Sequence, residues 1–203
     1  MSDDLAPRMR TAARATAIGA GVAVTAAVPL TFPADGGPSA LDSALADPIT
    51  AGLSPGAGEL LVAPSSAPVV LALLLAACGW FVVRRQWWRA ATMLAVPELA
   101  VAINTWVLKP LWDRQLHDYP AYPSGHTVHL VAVATTFVFL ATSRAARITV
   151  ALVTALAVAA TVPGMVELGY HHPTDVLGGV AAAVAVATTL CVLAEWRRAQ
   201  LRS

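Results

Sequence analysis

Long apolar blocks alternate along this chain with short polar stretches. Six blocks stand out, approximately Thr16–Phe32, Ala67–Val83, Ala90–Leu108, Thr127–Thr142, Ile148–Val166 and Val176–Ala194. A helix that crosses a bilayer needs about 20 mostly apolar residues, with about 17 as a lower limit. The blocks reach or approach that length. They predict an all-α fold: a polytopic membrane bundle of six transmembrane helices in a single integral membrane domain, 1–203. Ala, Val and Leu fill the blocks, and small residues such as those of "DVLGGVAAAVAVA" allow close helix packing. The first block follows Arg8, Arg10 and Arg14, as a signal peptide's would. It is long and no Ala-x-Ala site lies directly after it, so a retained helix is expected.

Composition agrees with the pattern. The chain has 203 residues, 57% hydrophobic and 12% charged, against about 25% charged in an ordinary soluble domain. Mean hydropathy is +0.66. A formal net charge of +1 gives no general reason to expect nucleic acid as a partner. The lipid bilayer is the expected one. Cys78 and Cys191 lie inside apolar blocks and read as small buried residues rather than a disulfide or a metal pair.

Basic residues set the orientation. Arg8, Arg10 and Arg14 precede the first block. Arg84, Arg85 and Arg89 join the second and third, Arg144 and Arg147 the fourth and fifth, and Arg197, Arg198 and Arg202 follow the sixth. With six spans all of these share one side, the cytoplasm, and both termini lie there. Of the thirteen Lys and Arg residues, Lys109 and Arg114 alone fall on the outer side. Cations placed against the orientation bias point to anion binding.

Three segments face outward. The first, Pro33 to Ser66, is rich in Pro, Gly, Ser and Asp and reads as an extracytoplasmic loop with one short helix near Ala40–Ala46. It can cover a site or touch headgroups, but it carries no catalytic signature. The second is "KPLWDRQLHDYPAYPSGHTVHL", Lys109 to Leu130. The third is "VELGYHHPTDV", Val166 to Val176. All five histidines lie in the last two segments.

In "YPSGHT", Pro123 sets a turn, Ser124 suits the N-cap of the fourth helix, and Gly125 lets a ligand approach the backbone. The N–H groups of that helix start favour an anion, and His126 sits beside them. In "GYHHPTDVLGG", Pro173 suits the first turn of the sixth helix. Asp175, four residues after His171, can hold that ring in one tautomer and support its positive form. Together these residues form a phosphoryl-transfer set. Lys109 and Arg114 neutralise phosphate oxygens, aided by the Ser124 hydroxyl and the Gly125 N–H. One histidine attacks phosphorus and another protonates the leaving oxygen.

The set resembles the type 2 phosphatidic acid phosphatase family, which is related in fold to the vanadium haloperoxidases. Its membrane members carry Lys-x6-Arg-Pro, Pro-Ser-Gly-His and Ser-Arg-x5-His-x3-Asp, and the similarity here spans about 67–194. The second motif is intact at Pro123–His126, and His171 and Asp175 keep the spacing of the third. The other parts are degenerate. Leu116 and His117 stand where the family has Arg-Pro, and Arg114 lies two residues earlier. Gly164 and Met165 stand where it has Ser-Arg, and Met165 cannot supply a charge-assisted hydrogen bond. His117 or a protonated His172 is a candidate to compensate.

The resemblance implies a bacterial membrane enzyme that hydrolyses a lipid phosphate or diphosphate, of polyprenyl or phosphatidic acid type, at the outer face of the plasma membrane. It implies His171 as the nucleophile forming a phosphohistidine, Asp175 orienting it, and His126 as general acid and then base, with no metal and no cofactor. The missing Arg leaves a second reading, a degenerate member that binds lipid phosphates with little turnover. A zinc site at His126, His171, His172 and Asp175 is disfavoured, because Lys109 and Arg114 would sit beside the cation. Glu98, inside the third block, is a functional candidate by its depth, or a carboxylate paired with another helix. His129 reads as a packed neighbour of the site. Glu167 is placed to pair with Lys109 or Arg114. The six Trp residues read as interfacial anchors.

Overall fold

The computed structural model describes residues 5–54 and 56–202, with side chains from residue 8 onward. The described chain is almost wholly helical. Helix α1 runs over Leu5–Ala27, α2 over Ala40–Thr50, α3 over Ala57–Val62, α4 over Ala67–Val83, α5 over Trp87–Ile103 and α6 over Lys109–Trp112. Helices α7, α8 and α9 span Gly125–Leu140, Arg144–Glu167 and Pro173–Gln200. Between α6 and α7 a two-residue hairpin pairs β1, Gln115–Leu116, with β2, Tyr119–Pro120.

Five stretches are long and apolar enough to cross a membrane: Arg8–Thr31, Ala57–Val83, Trp87–Trp112, Arg144–Glu167 and Pro173–Gln200. The block expected as the fourth span forms α7, whose 16 residues reach about 24 Å at 1.5 Å per residue. That is shorter than a hydrocarbon core of about 30 Å. The shortness fits its position. Helices α7 and α9 form the central pair, and α1, α4, α5 and α8 pack around them. A central helix has little lipid to meet, so its ends are set by its neighbours.

Small side chains make the centre close. Ala182, Ala183, Ala187 and Cys191 of α9 meet Val128, Val131 and Ala132 of α7 and Val96 and Ala100 of α5. A second cluster joins Val70, Leu74 and Phe81 of α4 to Met93 of α5 and Leu130 and Val133 of α7. Along α1, a Cβ at Gly21 would come within 2.9 Å of the Ala185 Cβ, so a hydrogen there is what lets α1 lie on α9. Large apolar side chains point outward instead, among them Leu71, Leu75, Leu152, Leu156 and Leu193. Burying Ala inside and exposing Leu outside is the arrangement that suits lipid as the surrounding solvent.

The polar chemistry separates toward the two ends. Arg85, Arg89, Arg198 and Arg202 line one cleft, and Arg10, Arg14, Arg147 and Glu195 line its neighbour. Both lie at the end where α5 begins and α9 finishes. At the other end, α2 and α3 pack on α8 and α9 beside the two histidine segments.

Candidate active site

The site is built where the start of α7 meets the start of α9. The turn Tyr122–Pro123–Ser124 is pressed onto α9 at two adjacent glycines. A Cβ on Gly178 would run into the Tyr122 ring, and one on Gly179 would lie 2.9 Å from the Thr127 Cβ and 3.0 Å from the Ser124 carbonyl oxygen. The close approach lets Ser124 N–H donate to the Asp175 carbonyl at 3.0 Å. Tyr122 O–H closes the far side with a 2.7 Å hydrogen bond to the Thr25 carbonyl of α1. From α5, Asn104 donates to the Pro123 carbonyl at 3.3 Å. Sequence reasoning passed over Asn104, Tyr122 and the role of the glycine pair, because only the packed helices show what they touch.

The two histidines come together. His126 and His171 face each other edge to face, with ring centroids 6.1 Å apart. Tyr170 stacks on His126 at 6.5 Å and Tyr119 meets His171 edge-on at 6.3 Å. His126 is exposed and His171 is buried. His171 Nδ1 lies 3.7 Å from Asp175 Oδ2. That is beyond hydrogen-bond range, and the buried Nδ1 has no partner among the described residues. Asp175 is fully buried and accepts from His172 N–H at 2.9 Å.

Lys109 stands beside this pair. Its ammonium donates to the Pro120 carbonyl, and its stem lies against Gly125, whose added Cβ would be 4.0 Å from Lys109 Cε. An ammonium has three donors, so two remain for an anion.

Arg114 is different, and its expected role is corrected here. The side chain is buried, and all five guanidinium N–H groups have acceptors. Nε donates to Gly36 O at 3.4 Å. Nη1 donates to Thr174 Oγ1 and Asp175 Oδ1 at 2.8 Å each. Nη2 donates to Gly37 O and Asp42 Oδ2 at 2.9 Å each. Phe32 covers its face at 3.9 Å. No donor is left for a phosphate. The cause is local: Asp113 ends α6 at φ 43, and the hairpin then turns Arg114 inward toward two carboxylates.

Other expectations also change. Ser124 is the N-cap residue of α7 but makes no side-chain cap. Its buried hydroxyl accepts from Thr127 at 3.2 Å and lies 4.0 Å from the Met165 sulfur. The thioether at the position where the family has Arg thus lies beside Ser124. Burial, then the nearby Arg114 guanidinium, pushes the His172 pKa down, which disfavours the protonated form expected to compensate. His117 sits exposed at the hairpin tip with φ 54. Glu98 and His129 pair with each other at 3.2 Å, joining α5 to α7.

The segment from Pro33 to Ser66 contributes more than a cover. Asp42 of α2 is buried and receives five hydrogen bonds, from Ser39 N–H and O–H, Arg114 Nη2, and Thr174 N–H and O–H. Burial opposes its charge, but the guanidinium and these donors outweigh that and hold its carboxyl at about 2. The "SALD" pattern at Ser39 signals a helix start. Nothing in it says that the same carboxylate also reaches α9.

Residues 104–199 match the family model of the PAP2 superfamily. This stretch is similar to the PAP2 superfamily. The match covers Lys109, the Pro-Ser-Gly-His turn, His171 and Asp175, and it is consistent with a type 2 phosphatidic acid phosphatase family member. Members of the superfamily are phosphatases, which supports a phosphoester hydrolase. No curated protein and no solved structure matches the chain.

Proposed function

We propose that this protein is an integral membrane phosphatase that hydrolyses a lipid phosphate or diphosphate at the extracytoplasmic face, by way of a phosphohistidine. The observation that carries this reading is the meeting of His126 and His171 beside Lys109 within the stretch similar to the PAP2 superfamily. His171 turns Nδ1 toward Asp175, which leaves Nε2 to attack phosphorus. His126 donates a proton to the leaving oxygen. It then takes a proton from the water that cleaves the phosphorus–nitrogen bond, so the imidazole returns to its starting state. Lys109 neutralises the phosphate oxygens, and Gly125 gives them room against the backbone. Asp175 stabilises the positive ring as His171 becomes substituted. No metal and no cofactor takes part.

In this reading α7 completes six spans, both termini are cytoplasmic, the whole chain is one domain, and it lies in the plasma membrane. A polyprenyl phosphate and a phosphatidic acid both fit this reading. The test is phosphate release by purified protein from a panel of both lipid types, with EDTA present. Release that persists in EDTA and disappears in His171→Ala is expected. Release abolished by EDTA contradicts the metal-free route.

A second reading, a lipid-phosphate binder with little turnover, draws support from the same site. With Arg114 fully engaged and Met165 where the family has Arg, Lys109 is the one fixed cation beside the histidines among the described residues. Saturable binding of these lipids without release by wild type would favour it.

A further inference from the structure

We infer that Asp42, from the outer segment, is a positioning residue for the reaction: through Arg114 and Thr174 it fixes Asp175, so α2 belongs to the active site. The inference rests on the phosphatase reading, in which Asp175 serves His171.

A helix cap alone does not explain Asp42. Reaching back to Ser39 N–H would leave the carboxylate free to face water. Instead Asp42 is 1% exposed, and three of its five donors come from distant parts of the chain: Arg114 Nη2, Thr174 N–H and Thr174 O–H, each at 2.9 Å. Burying a carboxylate is costly unless it is paired and hydrogen-bonded. Here the cost is offset in large part by three contacts that lead to Asp175. Thr174 is its neighbour, and the Asp42 Oδ1 that binds Thr174 N–H satisfies one of the open donors at the start of α9. Arg114 is a planar fork gripped at both ends. Nη2 holds Asp42, and Nη1 holds Asp175 Oδ1 at 2.8 Å. Asp175 cannot rotate without breaking that grip, so Oδ2 stays toward the His171 ring. Asp42 lies outside the matched residues 104–199, and it supplies a second anion for an Arg114 that has no donor left for substrate.

The groups that bear on the His171 ring come from every element around it. They are Asp175 on α9, His126 on α7, Tyr119 on β2, Tyr170 and His172 beside it in the chain, with Lys109 of α6 acting on His126 and Asp175, and Arg114 behind Asp175. Asp42→Asn keeps the shape and removes one charge from behind this set.

The experiment compares wild type, Asp42→Asn and Asp47→Asn in lipid nanodiscs. Asp47 is exposed on the same helix, so its variant makes the same charge change away from Asp175. Two readouts are taken per folded molecule: kcat and KM for lipid-phosphate release, and the His171 titration by 15N NMR, assigned with His171→Ala. The proposal expects kcat to fall about tenfold in Asp42→Asn, the low end of the scale for outer partners of a site, because Asp42 reaches His171 through Arg114 and Asp175. KM stays within about twofold, the His171 midpoint moves, and Asp47→Asn matches wild type. A folded Asp42→Asn with wild-type kcat and midpoint overturns the proposal. If Asp42→Asn does not fold, Thr174→Val, which removes one link, must show the same split in smaller size; wild-type values there overturn it as well. A wild type that releases no phosphate overturns the phosphatase reading instead. The His171 titration then still decides whether Asp42 is coupled to it.

Discussion

Replacing Arg114 by Leu separates two roles for this cation. As a phosphate ligand in an open cleft, its loss would weaken substrate binding and leave the fold nearly untouched, since substitutions away from buried networks stay within about 0.5 kcal/mol. As the centre of a buried array, its loss strands Asp42 and Asp175 side by side. The molecule's cheapest relief is to protonate one of them. For a carboxyl that ordinarily titrates near 3.9, that costs about 4 kcal/mol at pH 7 and about 1.5 kcal/mol at pH 5. The pH 7 figure agrees with the roughly 3–5 kcal/mol seen when one partner of a buried pair is removed. For a chain of this size, about 2–4 °C per kcal/mol gives a drop in Tm of about 8–16 °C at pH 7. At pH 5 the drop shrinks to about 3–6 °C. The sign follows from the stranded carboxyl: its folded pKa is raised, so the variant recovers stability as pH falls. Cys191 is 1% exposed, so labelling by a thiol-reactive dye during heating reports unfolding. A variant that melts within 2 °C of wild type at both pH values, with KM raised, would refute the buried-array account.

Three further outcomes follow from particular contacts. Asp42 titrates at about 2 instead of its ordinary 3.8, so it contributes about 2 kcal/mol that is fully present above pH 4 and is lost as pH falls through about 2; acid unfolding of Asp42→Asn should lack that part of the slope. Gly178→Ala must displace the Tyr122 ring and should cost about 1–3 kcal/mol, whereas Gly19→Ala, whose Cβ meets nothing within 4 Å, should be neutral or slightly stabilising in the same dye assay. Met165→Arg places a cation beside Ser124 and should tighten inhibition by vanadate about ten- to a hundredfold, the worth of one hydrogen bond to a charged group; unchanged inhibition would mean that residue 165 does not face the anion.

Much of this was legible before folding. The apolar blocks located the helices because lipid demands continuous helical spans. The two histidine segments were found because polar chemistry is scarce in such a chain. The short helix expected near Ala40–Ala46 forms over Ala40–Thr50. Arg114 was misread because sequence shows a charge but not its partner. Its partners lie 72 and 61 residues away, and pairing at that distance depends on where α2 docks. The same limit hid Asp42, which satisfied a local helix-start pattern and so invited no further question. Ser124 occupies its expected place, yet its hydroxyl turns to Thr127 and Met165. A cap position fixes the backbone and leaves the rotamer to packing.

The phosphohistidine is the centre of the account, and trapping it is the most direct test. Purified protein is mixed with a lipid phosphate, quenched within milliseconds in alkali, where phosphohistidine survives, digested, and mapped by mass spectrometry. The account predicts a phosphoryl group on His171 that accumulates in His126→Ala and is absent from His171→Asn. Steady phosphate release with no modified histidine, or a phosphoryl group on His126 instead, would contradict it.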